Sequence, residues 1–339
     1  MTFKKINGLR YHYTQSGSGE PLVLLHGFTG SSASWRNIIQ DLSARFRVIA
    51  VDLPGHGQTG SPSEIHRYQM PVITGDLIQL LESLDASPAH CLGYSMGGRL
   101  ALYLAIHHPE NVRSLILESA SPGLADPRER AARQQQDEAL AERIEQDGIP
   151  AFVANWERLP LFASLDRLPL SALAELREQR LANSATGLAN SLRGMGTGVQ
   201  PALWDRLNAL ELPVLQIVGR LDEKFVALNR AMAGKFPDAR LAIVDGAGHI
   251  VHLEQPGEYS RQVCGFLNNE SDDRGRHLPD AEQDDEDQSG QRHLLEPGVE
   301  ARQILRPADR HTVANKQGNG QQEQVLPQGI GIDQAEQYR

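Results

Sequence analysis

Gly93-Tyr94-Ser95-Met96-Gly97 is the stretch that decides how this chain folds. The apolar run Ala89 to Leu92 leads into it, and a helical pattern from Gly98 to Ile106 leads out. A strand that reverses this sharply into a helix needs tiny residues on both sides of the turn. The serine between them is held in strained backbone, with its hydroxyl lifted clear of the sheet. The five residues alone are a weak signal, so the rest of the chain has to supply the context.

Two downstream segments supply it. Pro213 to Gly219 is an apolar run ending at Arg220-Leu221-Asp222, which puts a carboxylate just past the carboxyl end of a buried strand. Leu241-Ala242-Ile243-Val244 is followed by Asp245-Gly246-Ala247-Gly248-His249, a histidine on a glycine-loosened loop. The order Ser95, Asp222, His249 is that of the α/β-hydrolase fold and differs from the other serine triads. Upstream, Leu22 to Leu25 run into His26-Gly27-Phe28, so an oxyanion hole would take the backbone N–H of Phe28 and that of Met96. Each residue has a plainer reading: Asp222 as a helix cap, His249 as an ordinary loop histidine. Their joint order at successive strand ends favours the triad. Of the rival histidines, His56 reads as part of a turn after the strand 47–51, His252 as a residue approaching a helix, and His26 as a prop for the oxyanion loop.

Asn7-Gly8 suits a tight hairpin turn. Strands are expected at 22–25, 47–51, 89–93, 113–118, 213–218 and 241–244, and helices near 34–44, 71–84, 96–107, 226–235 and 256–267. Continuous Val/Ile/Leu runs alternating with helices predict a mostly parallel sheet covered on both faces. The alternation stops between Ser121 and Leu210, where about ninety helix-favouring residues intervene. That is too long for a loop and predicts a helical cap over the strand ends. The expected layout is a core of 1–121 and 211–267, a cap of 122–210 and a disordered acidic tail of 268–339.

The tail reading rests on composition. From Glu270 to Arg339 there are fifteen acidic and eight basic residues and one aromatic, too little apolar surface to offset the entropy of ordering. This segment carries most of the formal net charge of −10, so the acidity says nothing of a substrate and gives no sign of a nucleic-acid or membrane partner. Cys91 and Cys264 read as buried free thiols, fitting a reducing compartment. No apolar signal core opens the chain and no run approaches the ~18 apolar residues of a membrane span, which predicts a soluble, cytoplasmic protein. The chemistry calls for neither a metal nor a cofactor, and oligomeric state leaves no trace in the sequence.

Fold alone names no reaction. Arg99 stands one helical turn after Ser95, where a guanidinium at the pocket edge would suit a substrate bearing carboxylates, although a solvated or ion-paired arginine is an equal reading. The segments Gly93 to Ala101, Leu117 to Leu124, Ala132-Arg133, Trp156, Phe162, Arg180 with Asn183, Arg193-Gly194-Met195-Gly196-Thr197-Gly198 and Asp222 to Phe225 together resemble the 2-succinyl-6-hydroxy-2,4-cyclohexadiene-1-carboxylate synthases of menaquinone biosynthesis. The likeness covers roughly residues 3 to 267. It implies a lyase that eliminates pyruvate from the tricarboxylate 2-succinyl-5-enolpyruvyl-6-hydroxy-3-cyclohexene-1-carboxylate by proton abstraction. By the same resemblance Ser95, His249 and Asp222 remove the proton and the Phe28 and Met96 amides hold the oxyanion. Arg99, Arg133 and Arg180 would bind carboxylates, with Tyr94, Trp156 and Phe162 as pocket neighbours. Arg177 competes with Arg180, and Arg128 and Arg130 lie close to Arg133, so a match could shift by one turn. Trp156 and Phe162 read equally well as cap core. The alternatives are a serine hydrolase of a small carboxylated ester or C–C bond substrate, and a catalytically silent binding module.

Overall fold

The strands are β1 (Thr2–Ile6), β2 (Leu9–Ser16), β3 (Pro21–Leu25), β4 (Arg47–Val51), β5 (Ala89–Tyr94), β6 (Val112–Glu118), β7 (Val214–Gly219) and β8 (Ala239–Val244). They form one sheet in the order β1-β2-β4-β3-β5-β6-β7-β8. The computed structural model describes residues 2–275. Antiparallel pairing is confined to β1 with β2 and β2 with β4, and every other described pair is parallel. The hairpin turn forms at Asn7 and Gly8, both at positive φ as a tight turn of this kind requires.

The helices are α1 (Arg36–Ser43), α2 (Met70–Glu82), α3 (Met96–His107), α4 (Pro127–Trp156), α5 (Leu170–Leu181), α6 (Ala185–Met195), α7 (Glu223–Ala233), α8 (Val251–Glu254) and α9 (Pro256–Gly275). The central strands β5 and β7 are buried along their whole length, because helices cover both faces. One face packs Leu77, Leu100 and Leu104 against the sheet, and the other packs Trp35, Ile38, Tyr259 and Val263. Helix α9 corrects the expectation of an end at 267: it continues through the polar run Asn268-Asn269-Glu270 to Gly275, so the segment read as disordered begins as helix. Residues 276–339 of that segment lie outside the described residues. Cys91 and Cys264 are free, and burial pushes the Cys91 thiol up to about 12.

Helices α4, α5 and α6 all fall between β6 and β7, where the alternation of strand and helix stops. Asp126 caps α4 by accepting the Arg128 N–H, with Pro127 at the first helical position. The helix breaks at Gly148 (φ 78°, ψ 170°), two residues before Pro150, so its second part turns back. Leu140, Ile144, Phe152 and Val153 of α4 pack on Leu188 and Leu192 of α6, giving this insertion an apolar core of its own. Among the described residues no helix is long and apolar enough to cross a membrane.

Candidate active site

The elbow is built as its small residues require. Ser95 has φ 49°, a left-handed value that costs a residue with a side chain roughly 1–3 kcal/mol. Its N–H donates to the Glu118 carbonyl at 2.8 Å, and its own carbonyl starts α3 by accepting the Arg99 N–H at 3.0 Å. A Cβ at Gly93 would lie 2.3 Å from the Gly97 oxygen, and one at Gly97 only 2.0 Å from the Leu25 oxygen. Strand β3, the elbow and α3 therefore touch backbone to backbone.

The three sequence-distant residues meet. His249 Nε2 lies 3.2 Å from Ser95 Oγ, and His249 Nδ1 lies 2.7 Å from Asp222 Oδ2. His249 and Asp222 are both buried. Asp222 serves both its readings at once: Oδ2 holds the imidazole while Oδ1 accepts the Phe225 N–H and caps α7. A carboxylate at Nδ1 keeps the proton there and leaves the Nε2 lone pair for the serine hydroxyl. The ring packs against Phe225 at 4.7 Å and Tyr94 at 5.5 Å between centroids. Glu254 adds a brace that the sequence did not disclose: its two oxygens accept the N–H groups of Gly248 and Ile250, on either side of His249. A helix glutamate six and four residues from the N–H groups it accepts looks like any surface acid until the loop is folded.

His26 props the oxyanion loop as expected. Its Nδ1 donates to the Gly27 carbonyl at 2.8 Å while its Nε2 accepts the Leu53 N–H at 3.0 Å, an arrangement open only to the neutral ring. Burial, opposed by Asp52, pulls its pKa down accordingly. His56 packs behind Phe28 at 5.9 Å, and burial followed by the neighbouring His26 lowers it to about 3. Among the described residues no protein acceptor takes the Phe28 N–H, and Met96, first in α3, has no intrahelical acceptor. Both amides are thus open to a ligand oxygen beside the positive end of the helix.

The expected substrate residues fall into two groups with different surroundings. In the first, Tyr94, Phe28, Phe162 and Arg180 line a cleft of about 170 Å³ that does not itself include Ser95 or His249. Arg180 is 3% exposed, sits 4.9 Å over the Phe162 ring and has an Nε with no protein partner. Burial pulls its pKa down while Glu157 holds it up, and a guanidinium stays charged there. The register ambiguity resolves: Arg177 is exposed and pairs with Glu157 at the surface, whereas Arg180 points inward. Trp156 stacks edge-on to Phe28 at 5.4 Å and lies 5.8 Å from Phe162; Phe162 lines the cleft, whereas Trp156 packs against the apolar clusters behind it.

In the second, Arg99 donates to the Met195 carbonyl at 2.8 Å and to Gln200 Oε1 at 3.0 Å, tying the elbow helix to the end of α6. Arg133 is buried and paired with Asp137 at 2.8 Å. Arg128 is exposed and Arg130 donates to the Leu124 and Ala125 carbonyls, which leaves Arg133 as the inward member of that group. Burial, and after it the charge of Arg133, lowers the Lys224 amine, while Asp222 raises it. Arg133 therefore lies within electrostatic reach of the first turn of α7, next to the triad carboxylate.

Comparison with known proteins agrees with this architecture. Residues 20–256 match the family model of the alpha/beta hydrolase fold. A Bacillus subtilis (strain 168) protein assigned as a 2-succinyl-6-hydroxy-2,4-cyclohexadiene-1-carboxylate synthase is 44% identical over 263 residues, covering 77% of this chain and 96% of that protein. The chain belongs to this synthase family. The synthase of Serratia proteamaculans (strain 568) is 32% identical over 249 residues, 73% of this chain and 93% of its own. The solved structure of MenH from S. aureus superposes with a TM-score of 0.74 at 37% identity, covering 77% of this chain and 98% of that one. The protein is accordingly an enzyme of the synthase family on an α/β-hydrolase scaffold.

Proposed function

We propose that this enzyme removes pyruvate from 2-succinyl-5-enolpyruvyl-6-hydroxy-3-cyclohexene-1-carboxylate, with Ser95, His249 and Asp222 as its base. The observation that carries the reading is the unbroken hydrogen-bond chain from Ser95 Oγ through His249 to Asp222. A serine hydroxyl is too weak a base near neutral pH unless an oriented imidazole accepts its proton. With that help it takes the ring proton next to the succinyl carbonyl, and the electron pair left behind moves onto the carbonyl oxygen. The Phe28 and Met96 amides stabilise that charge. Its return drives the ring double bond to shift and the C–O bond to the enolpyruvyl group to break, releasing pyruvate as its enolate. The enolate takes up one proton to give pyruvate and the His249 imidazolium gives one up, directly or through solvent, which restores the triad; no acyl-enzyme forms and no water is consumed.

The tricarboxylate gives the arginines their purpose, since a guanidinium grips a carboxylate with two parallel bonds. We assign Arg180, Arg99 and Arg133 to carboxylates, Tyr94, Trp156 and Phe162 to the ring's surroundings, and residues 122–210 to a cap over the core. The reading places the enzyme in the cytoplasm on a diffusible substrate, with no nucleic-acid or membrane partner. Purified protein mixed with the enolpyruvyl substrate should release pyruvate faster than the spontaneous reaction. Release at the spontaneous rate would overturn the reading, and rapid turnover of short acyl esters with an initial burst would favour the hydrolase instead. Arg180→Met should raise KM by about 10- to 150-fold, the equivalent of ~1.5–3 kcal/mol for a charge-assisted contact, with a smaller change in kcat. Steady-state kinetics on pyruvate release measures both, and an unchanged KM would remove Arg180 from the substrate.

A further inference from the structure

Beneath the elbow lies a second carboxylate–imidazole pair that the reaction does not call on. Glu118, the last residue of β6, is fully buried, and its Oε2 lies 2.7 Å from His252 Nδ1. Its Oε1 lies 2.9 Å from the same nitrogen and accepts the His252 backbone N–H at 3.1 Å. The backbone carbonyl of the same Glu118 receives the Ser95 N–H at 2.8 Å. One residue thus holds the nucleophile by its main chain and a histidine by its side chain.

That histidine stands behind Tyr94. The His252 ring lies 5.1 Å from the Tyr94 ring and 4.5 Å from Trp35, while the opposite neighbour of Tyr94 is His249 at 5.5 Å. Tyr94 is wedged between two imidazoles, immediately before Ser95 in the chain. The ring also packs directly against Gly27, where a Cβ would lie 2.5 Å from Tyr94 Cε1, and so borders the loop that carries the Phe28 amide. A buried carboxylate hydrogen-bonded to an imidazole is a poor way merely to fill space, because apolar residues there would avoid its desolvation.

We propose that Glu118 and His252 are positioning residues, which fix the Tyr94 ring and through it the Ser95 elbow and the His249 imidazole. The inference rests on the triad reading above, and its test includes one readout that needs no elimination substrate. Glu118→Gln, His252→Gln and the double variant are compared with the unaltered enzyme in kcat and KM for pyruvate release, in the rate at which an organophosphonate labels Ser95, and in Tm. In folded variants, kcat and the labelling rate should fall together by roughly 10- to 100-fold, as misplacement of catalytic groups does, with KM within about threefold. The double variant should be no worse than the poorer single one, since the pair acts as a unit. His252→Gln retains a donor toward Glu118 and is the variant to rely on if Glu118→Gln does not fold.

Wild-type kcat and labelling with only Tm reduced would overturn the proposal, as would a rise in KM alone or failure of both single variants to fold. If the unaltered enzyme is labelled but releases no pyruvate, the elimination reading fails while the labelling comparison still decides the role of the pair.

Discussion

Replacing Ser95 with alanine is expected to lower kcat for pyruvate release by about 10²- to 10⁴-fold, the range that a positioned proton acceptor supplies, while substrate binding stays within about threefold. The loss should be confined to chemistry. Alanine at φ 49° is no more strained than serine, and removing Oγ leaves the Ser95 N–H on Glu118 and the start of α3 untouched. The oxyanion donors are backbone groups and survive the change, so turnover should remain above the spontaneous rate. Single-turnover kinetics with excess enzyme reads the chemical step, and calorimetric titration with the tricarboxylate reads binding. A loss below tenfold would mean that His249 takes the ring proton directly, without the hydroxyl as intermediary. In that event His249→Ala would carry the large effect alone.

The Ser95, Asp222 and His249 constellation proposed as catalytic was legible because each member follows a strand end with its own local signature. Gly93 is demanded by crowding against Gly97 a few residues on and Gly97 by the backbone of Leu25 and His26 beside the elbow, and crowding of either kind is written in residue size. Asp222 was legible for two reasons that proved to be the same one, since the turn that makes it a helix cap also aims its second oxygen at His249. What stayed hidden depends on contacts across the sheet. His252 reads as a helix-approach residue, and nothing nearby in sequence announces Glu118, 134 positions earlier, as its partner. The choice between Arg177 and Arg180 needed their burial, because both pair with Glu157 at the end of α4 and only Arg180 is buried. The length of α9 was misjudged because its last turns are polar throughout, and a helix with no apolar stripe gives no periodicity to read.

The second large effect is expected at Gly97, where alanine should damage fold and function together. Its Cβ would lie 2.0 Å from the Leu25 oxygen, 2.4 Å from the Leu25 carbon and 2.6 Å from the His26 oxygen. All three are backbone atoms, so no side chain can rotate away. Either the first turn of α3 lifts off the sheet or the end of β3 retreats, and each end carries one of the proposed oxyanion donors, Met96 on the helix and Phe28 on the loop. Overpacking of this kind costs about 1–3 kcal/mol or somewhat more, which in a domain of this size lowers Tm by roughly 5–10 °C. Displacing one oxyanion donor should cost a further 10²- to 10³-fold in kcat, approximately the penalty for deleting it. Gly75→Ala is the matched control, since that glycine lies inside α2 and, beyond its own helical backbone and chain neighbours, no atom of the described residues comes within 4 Å of the added carbon. There the substitution should stabilise by about 0.5–1 kcal/mol through helix propensity and leave turnover unchanged. Thermal melts and pyruvate release on both variants separate crowding at the elbow from the mere loss of a glycine. A Gly97→Ala enzyme that melts and turns over like the control would show that β3 and α3 are not held in contact there, and the oxyanion assignment would go with it.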